Sequence, residues 1–93
     1  MAGHLFNPVG AHGQNASLNT VQTLTIPSGA TNIIAQAQTQ NVRYTLDGTT
    51  PTASKGFQLE KGAAAVNIPI GPNTTLKFIE ESASAALDYQ FGN

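Results

Sequence analysis

Residues 42–52, Val-Arg-Tyr-Thr-Leu-Asp-Gly-Thr-Thr-Pro-Thr, constrain the fold more than any other stretch of this chain. Val42, Tyr44 and Leu46 alternate with Arg43 and Thr45, the period-2 pattern of a strand with one face buried. Asp47-Gly48 then opens a Thr/Pro loop. An Asp side chain accepts hydrogen bonds from N–H groups just downstream, and a glycine takes φ > 0 without strain. The pair therefore predicts a tight Asx-type turn, and Pro51 stiffens the loop after it. A strand that stops this abruptly belongs to a fold of short strands and turns.

The same period recurs on both sides of it. Residues 21–26 alternate, with Leu24 and Ile26 on one face. Residues 32–39 place Ile33, Ala35 and Ala37 together, and the small alanines predict close packing. Residues 57–59 read as a short strand before a turn at Glu60-Lys61-Gly62, and Ala64, Val66, Ile68 and Ile70 then repeat every second residue. Pro69 has no N–H to give a sheet ladder, which predicts an edge or a strand end there. Leu76 and Phe78 face inward in residues 75–80, as do Ala85, Leu87, Tyr89 and Phe91 in the last segment. At Gln40-Asn41 the apolar phase flips from odd to even positions, which predicts a hairpin. Residues 79–87 are the one helix candidate. About seven antiparallel strands without a helical period predict an all-β fold, a single small β-sandwich or barrel.

Residues 1–20 differ in character. Gly, Ala, Asn, His and Gln dominate, and no period of 2 or 3.6 appears. The expected division is an extended N-terminal arm over 1–20 and a β-sandwich domain over 21–93. Ordering a loose arm costs about 1–2 kcal/mol per residue, so something must hold it. A neighbouring subunit or the domain's own sheet edge would serve. His4, Leu5, Phe6, Asn7, Pro8 and Val9 are the expected partner-binding residues, with Phe6 as the anchor. On this reading, deleting residues 2–16 leaves the domain folded and removes its binding.

Charge excludes several functions. Charged residues make up 10% of the 93 residues, and the formal net charge is -1. The four basic residues, Arg43, Lys55, Lys61 and Lys77, are scattered. Neutralising a phosphate backbone or an anionic membrane needs clustered cations, so neither nucleic acid nor membrane is an expected partner. Polarity comes instead from Thr, Asn, Gln and Ser. Such a surface suits a protein covered by other subunits, since charge is depleted at interface cores. There is no cysteine, hence no disulfide and no thiolate metal site. The N-terminal residues lack the basic and continuous apolar regions of a signal peptide.

No catalytic constellation is expected. His4 and His12 lie eight apart in a segment without helical period, which matches no zinc spacing. No Ser has an identifiable activator. Glu80 and Glu81 are adjacent, so on a strand they point to opposite faces. Asp47 has too few carboxylate companions for calcium, and its expected role, with Gly48 and Pro51, is the turn itself. No metal and no cofactor are expected. Tyr44, Phe57, Phe78, Tyr89 and Phe91 fall at inward positions and read as core.

Two resemblances rest on the turn. Residues 43–52, followed by Gly56-Phe57-Gln58-Leu59 and closing on Leu87-Asp88-Tyr89-Gln90-Phe91-Gly92, resemble small β-rich virion proteins of tailed phages and prophages. That resemblance implies a non-enzymatic head decoration or cementing protein. It would bind the major capsid protein and copies of itself on a symmetric lattice. It would be made in the host cytoplasm and sit on the capsid exterior. The same core resembles the Ig-like domains of chitobiases and other bacterial glycosidases, which carry a similar Tyr-Thr-x-Asp-Gly-Thr-x-Pro-Thr stretch and imply a carbohydrate- or surface-binding module. This second likeness reads as convergence on one turn, and a head–tail or tail component is the remaining virion alternative.

Overall fold

The computed structural model describes residues 6–93. Its eight strands among these residues are β1 (Gly13–Asn15), β2 (Gln22–Leu24), β3 (Asn32–Gln38), β4 (Val42–Thr45), β5 (Phe57–Leu59), β6 (Val66–Pro69), β7 (Leu76–Glu80) and β8 (Ala86–Gly92). They make two four-stranded antiparallel sheets, ordered β1-β8-β3-β6 and β2-β7-β4-β5. The protein is a small all-β sandwich. Among the described residues there is no helix, and residues 79–87 are the end of β7, a turn and the start of β8.

The period-2 pattern builds the core directly. Ile33 pairs across β3 with Phe91 on one side and Ile68 on the other. Leu24 pairs with Leu76 in the facing sheet. Phe78, Val42, Leu76 and Leu87 are fully buried between the sheets. Each side chain of this kind contributes about 1.5–3 kcal/mol on leaving water. Ala35 stands opposite Tyr89, with Gly13 on the other flank. The Tyr89 ring occupies the space that a Cβ at Gly13 would need, so small neighbours on both sides make room for it.

The expected hairpin at Gln40-Asn41 is corrected. β3 and β4 lie in different sheets, and the chain crosses the sandwich there. The phase flip has a different cause from a hairpin: both strands face one core from opposite sides. Among the described residues β4 and β5 alone are sequence neighbours within one sheet. β6 is an edge strand ending at Pro69, where a missing N–H leaves no ladder bond unmade.

Of the two holders expected for the N-terminal segment, the domain's own sheet edge takes its described residues. Asn7 and Asn93 exchange two backbone hydrogen bonds of 2.9 Å, and Val9 N–H donates to Phe91 O at 2.9 Å. β1 continues the pairing along β8. Leu18 is fully buried, and its carbonyl accepts from Glu80 N–H at 3.0 Å in the facing sheet. The segment thus closes one side of the sandwich before β2 pairs with β7. The free edge of β8 supplies the backbone partners that hold it, and Leu18 supplies apolar burial.

Candidate functional site

The 46–56 loop is built by local chemistry. Thr49 N–H donates to Asp47 Oδ1 at 3.0 Å, and Gly48 has φ +86°. The hydroxyl and N–H of Thr49 hold the Asp47 carboxyl below the usual carboxylate range. Thr75 N–H donates to Leu46 O at 2.8 Å, which ties the turn to the sandwich. Pro51 is fully buried, and the Thr45 hydroxyl donates to Thr49 O beneath it. Thr52 and Lys55 then close a small turn with backbone bonds of 3.0 and 3.2 Å. Gly56 has φ +125°, and a Cβ there would stand 2.9 Å from Tyr44 O, so no other residue fits.

A cleft of about 480 Å³ opens between this loop and the ends of β4 and β5. Tyr44, Leu46 and Phe57 form its apolar side; Asp47, Thr49 and Lys55 stand on the polar side. Phe57 departs from the sequence reading. It lies on the inward face in register with Tyr44, yet it is 61% exposed. β5 is the last strand of its sheet, so nothing lies over that corner. Phe57, Tyr44 and Phe78 form a row across β5, β4 and β7, with ring centroids 5.5 and 5.7 Å apart. The row runs from open surface to the fully buried Phe78. Burial raises the Tyr44 hydroxyl pKa.

Glu81, which the sequence marks only as half of an adjacent carboxylate pair, is the centre of a polar cluster. Its Oε2 accepts from Gln58 at 2.7 Å and from Arg43 Nε at 2.6 Å; its Oε1 accepts from Asn41 at 3.4 Å. Those donors, Gln58 first, hold its carboxyl below the usual range. Arg43 also donates to Gly56 O at 3.0 Å. The cluster therefore fastens β5 and the end of the loop to β4. No sequence spacing marks it, because Arg43, Gln58 and Glu81 meet only through strand pairing.

The expected partner-binding residues lie elsewhere. His4 and Leu5 fall outside the described residues. The Phe6 ring packs on Gly92 and fills the space a side chain there would take, and Val9 packs against the core. Asn7 and Pro8 bind the end of β8 through backbone, so residues 6–9 are a strand edge of their own domain. Among the described residues no three His, Asp or Glu side chains gather as metal ligands. His12 Nε2 instead lies 3.2 Å from Asp88 Oδ1.

That pair sits on a second surface, the outer face of the β1-β8-β3-β6 sheet. Strand register places Gln14, Asn32, Ile34, Gln36, Gln38, Asn67, Ala86, Asp88 and Gln90 there. Asp88 is the one charged strand residue on it. The amides bond laterally: Asn32 to Asn67 at 2.8 Å, Gln38 to Gln36 at 3.0 Å, Gln36 to Ala63 O at 2.9 Å and Gln90 to Gly10 O at 3.0 Å.

Residues 12–86 match the family model of the chitobiase/β-hexosaminidase C-terminal domain. The chain belongs to this family. The match runs from the residue before β1 to the first residue of β8, so the likeness is not convergence on a single turn. It supports the second of the two resemblances, and it takes in part of the segment expected to be an arm. No curated protein and no solved structure matches the chain.

Proposed function

We propose that this chitobiase-type β-sandwich is a non-enzymatic docking module of a tailed-phage or prophage virion. It would be a head decoration or cementing subunit on the major capsid protein, repeated with the symmetry of the shell. The observation that carries the reading is the amide-covered outer face of the β1-β8-β3-β6 sheet. Covering amides whose N–H groups already bond a neighbouring amide or a backbone carbonyl costs far less than covering charges. The lateral bonds also hold the side chains still, so little rotamer freedom remains to be lost on docking. Repetition over a lattice turns a weak contact into firm attachment. The docking element is this face rather than a free arm, because residues 6–18 are committed to β8 and β7. The virion resemblance of residues 43–52 supports the same reading. The protein would be made in the host cytoplasm and end on the capsid exterior, without nucleic acid, membrane or cofactor.

The test is co-sedimentation of the purified chain with undecorated shells of the phage or prophage that encodes it. Binding should saturate at a fixed ratio to the capsid subunit. Protein left entirely in the supernatant would reject the reading.

A second reading is favoured by a separate observation. The exposed Phe57 beside a polar-rimmed cleft suits a glycan- or surface-binding module, and the family is named for enzymes of glycan breakdown.

A further inference from the structure

The cleft at the end of β4 and β5 has the build of a small-ligand site, and its chemistry narrows the ligand. We infer that it binds one neutral pyranose unit of a glycan, stacked on the exposed ring of Phe57 with its hydroxyls turned to Asp47 and Lys55. This rests on the second reading above and assigns its site.

Three observations support it. The first is the ring. Phe57 is the most exposed large apolar side chain among the described residues, and it is backed on one side by other rings. Its ring leans on Tyr44 at 5.5 Å, and Tyr44 stacks on Phe78 at 5.7 Å with planes 28° apart. An aromatic face backed in this way and left wet presents a flat apolar platform. A pyranose has a matching C–H face, and weak C–H contacts to the ring add to the area covered.

The second is the polar rim. Asp47 Oδ1 accepts from Thr49 N–H at 3.0 Å, which orients the carboxylate, and its exposed oxygens keep lone pairs that can accept from a ligand hydroxyl. Lys55 is exposed on the same cleft and brings three donors. One anion and one cation facing a cleft suit a ligand that is neutral and both donates and accepts. A polyanion would meet the Asp47 carboxylate.

The third is preorganisation. The Asx turn, the buried Pro51 and the Arg43 bond to Gly56 O fix the walls before any ligand arrives. A cleft of about 480 Å³ lies within the range of small-molecule sites, roughly 300–1,000 Å³. A rigid cleft loses little freedom on binding, which matters for a ligand with few contacts.

The experiment is a two-dimensional ¹H–¹⁵N titration of the full chain. The probes are neutral gluco-, manno-, galacto- and N-acetylglucosamine trisaccharides, with a uronic-acid trisaccharide as the charged control. At least one neutral probe should shift resonances of residues 44–49 and 55–57. Phe57→Ala should weaken that binding tenfold or more while its spectrum stays folded. Asp47→Asn keeps the turn's acceptor and should weaken it severalfold. Binding that survives Phe57→Ala within threefold, or that shifts Gln36 and Gln90 instead, overturns the cleft and leaves the glycan reading standing. Binding of the uronic-acid probe alone, lost in Lys55→Ala, overturns the neutral assignment. No shift with any probe overturns both the site and the reading.

Discussion

Two stretches of this chain look alike in composition and are held in opposite ways. Residues 6–20 and residues 46–56 are both poor in apolar residues and rich in Gly, Thr, Asn or Ser. The second is held by its own neighbours: Asp47 to Thr49, Thr45 to Thr49, Thr52 to Lys55. The first is held by partners more than 60 residues away, on β8 and β7. Local side-chain-to-backbone bonds write themselves into sequence, because they need particular residue types at fixed offsets. Edge pairing uses backbone groups that every residue but proline carries, so it leaves no compositional trace.

The largest expected effect comes from breaking the distant set. Removal of residues 2–16 strips the pairing from β8 and removes the strand, β1, that leads into Leu18. We expect loss of the cooperative unfolding transition by circular dichroism, where a composition-based arm would predict none. A truncated chain that melts like the full one would make the two stretches equivalent again.

Leu18→Ala probes the same region without deleting backbone. Leu18 is fully buried, and such truncations cost about 2–5 kcal/mol. Denaturant unfolding should show a loss in that range, and a change within experimental error would place Leu18 outside the core.

Gly48→Val probes the local set. Gly48 sits at φ +86° with only ordinary contacts to Thr75, so the cost is backbone strain of about 1–3 kcal/mol. Chemical unfolding measures it, and an unshifted midpoint would remove the turn from the account.

The smallest effect is a pH dependence. Asp47 and Glu81 have folded-state pKa values below their ordinary ones. A carboxylate depressed in the folded state favours folding above its unfolded pKa, about 4. That contribution disappears as pH falls through the lower folded value. The melting temperature should therefore hold from neutral pH down to about pH 5 and decline in more acid solution. Glu81→Gln should flatten the decline, and an identical acid limb in that variant would discount the Arg43–Gln58–Glu81 cluster.

Each of the seven segments expected as strands contains one, and Pro69, expected at an edge or a strand end, is the last residue of an edge strand. Sheet membership was hidden, since the phase flip at Gln40-Asn41 is the same for a hairpin and for a crossing between sheets. The aromatic cleft was half visible. Parity put Phe57 on the inward face, where it is, but parity carries no information about whether the facing sheet extends over an edge strand. The cluster around Glu81 gave no signal, because its members are assembled by pairing across β4, β5 and β7.

The central claim is that the protein docks through the amide face of the β1-β8-β3-β6 sheet while the Phe57 cleft at the other sheet's edge is left open. Paired charge insertions, Gln36→Glu with Gln90→Glu, test it against Phe57→Ala in the shell co-sedimentation assay, with all proteins confirmed folded. The account predicts that the double variant stays in the supernatant and that Phe57→Ala decorates shells at the wild-type ratio. Shells decorated fully by the double variant and left bare by Phe57→Ala would contradict it.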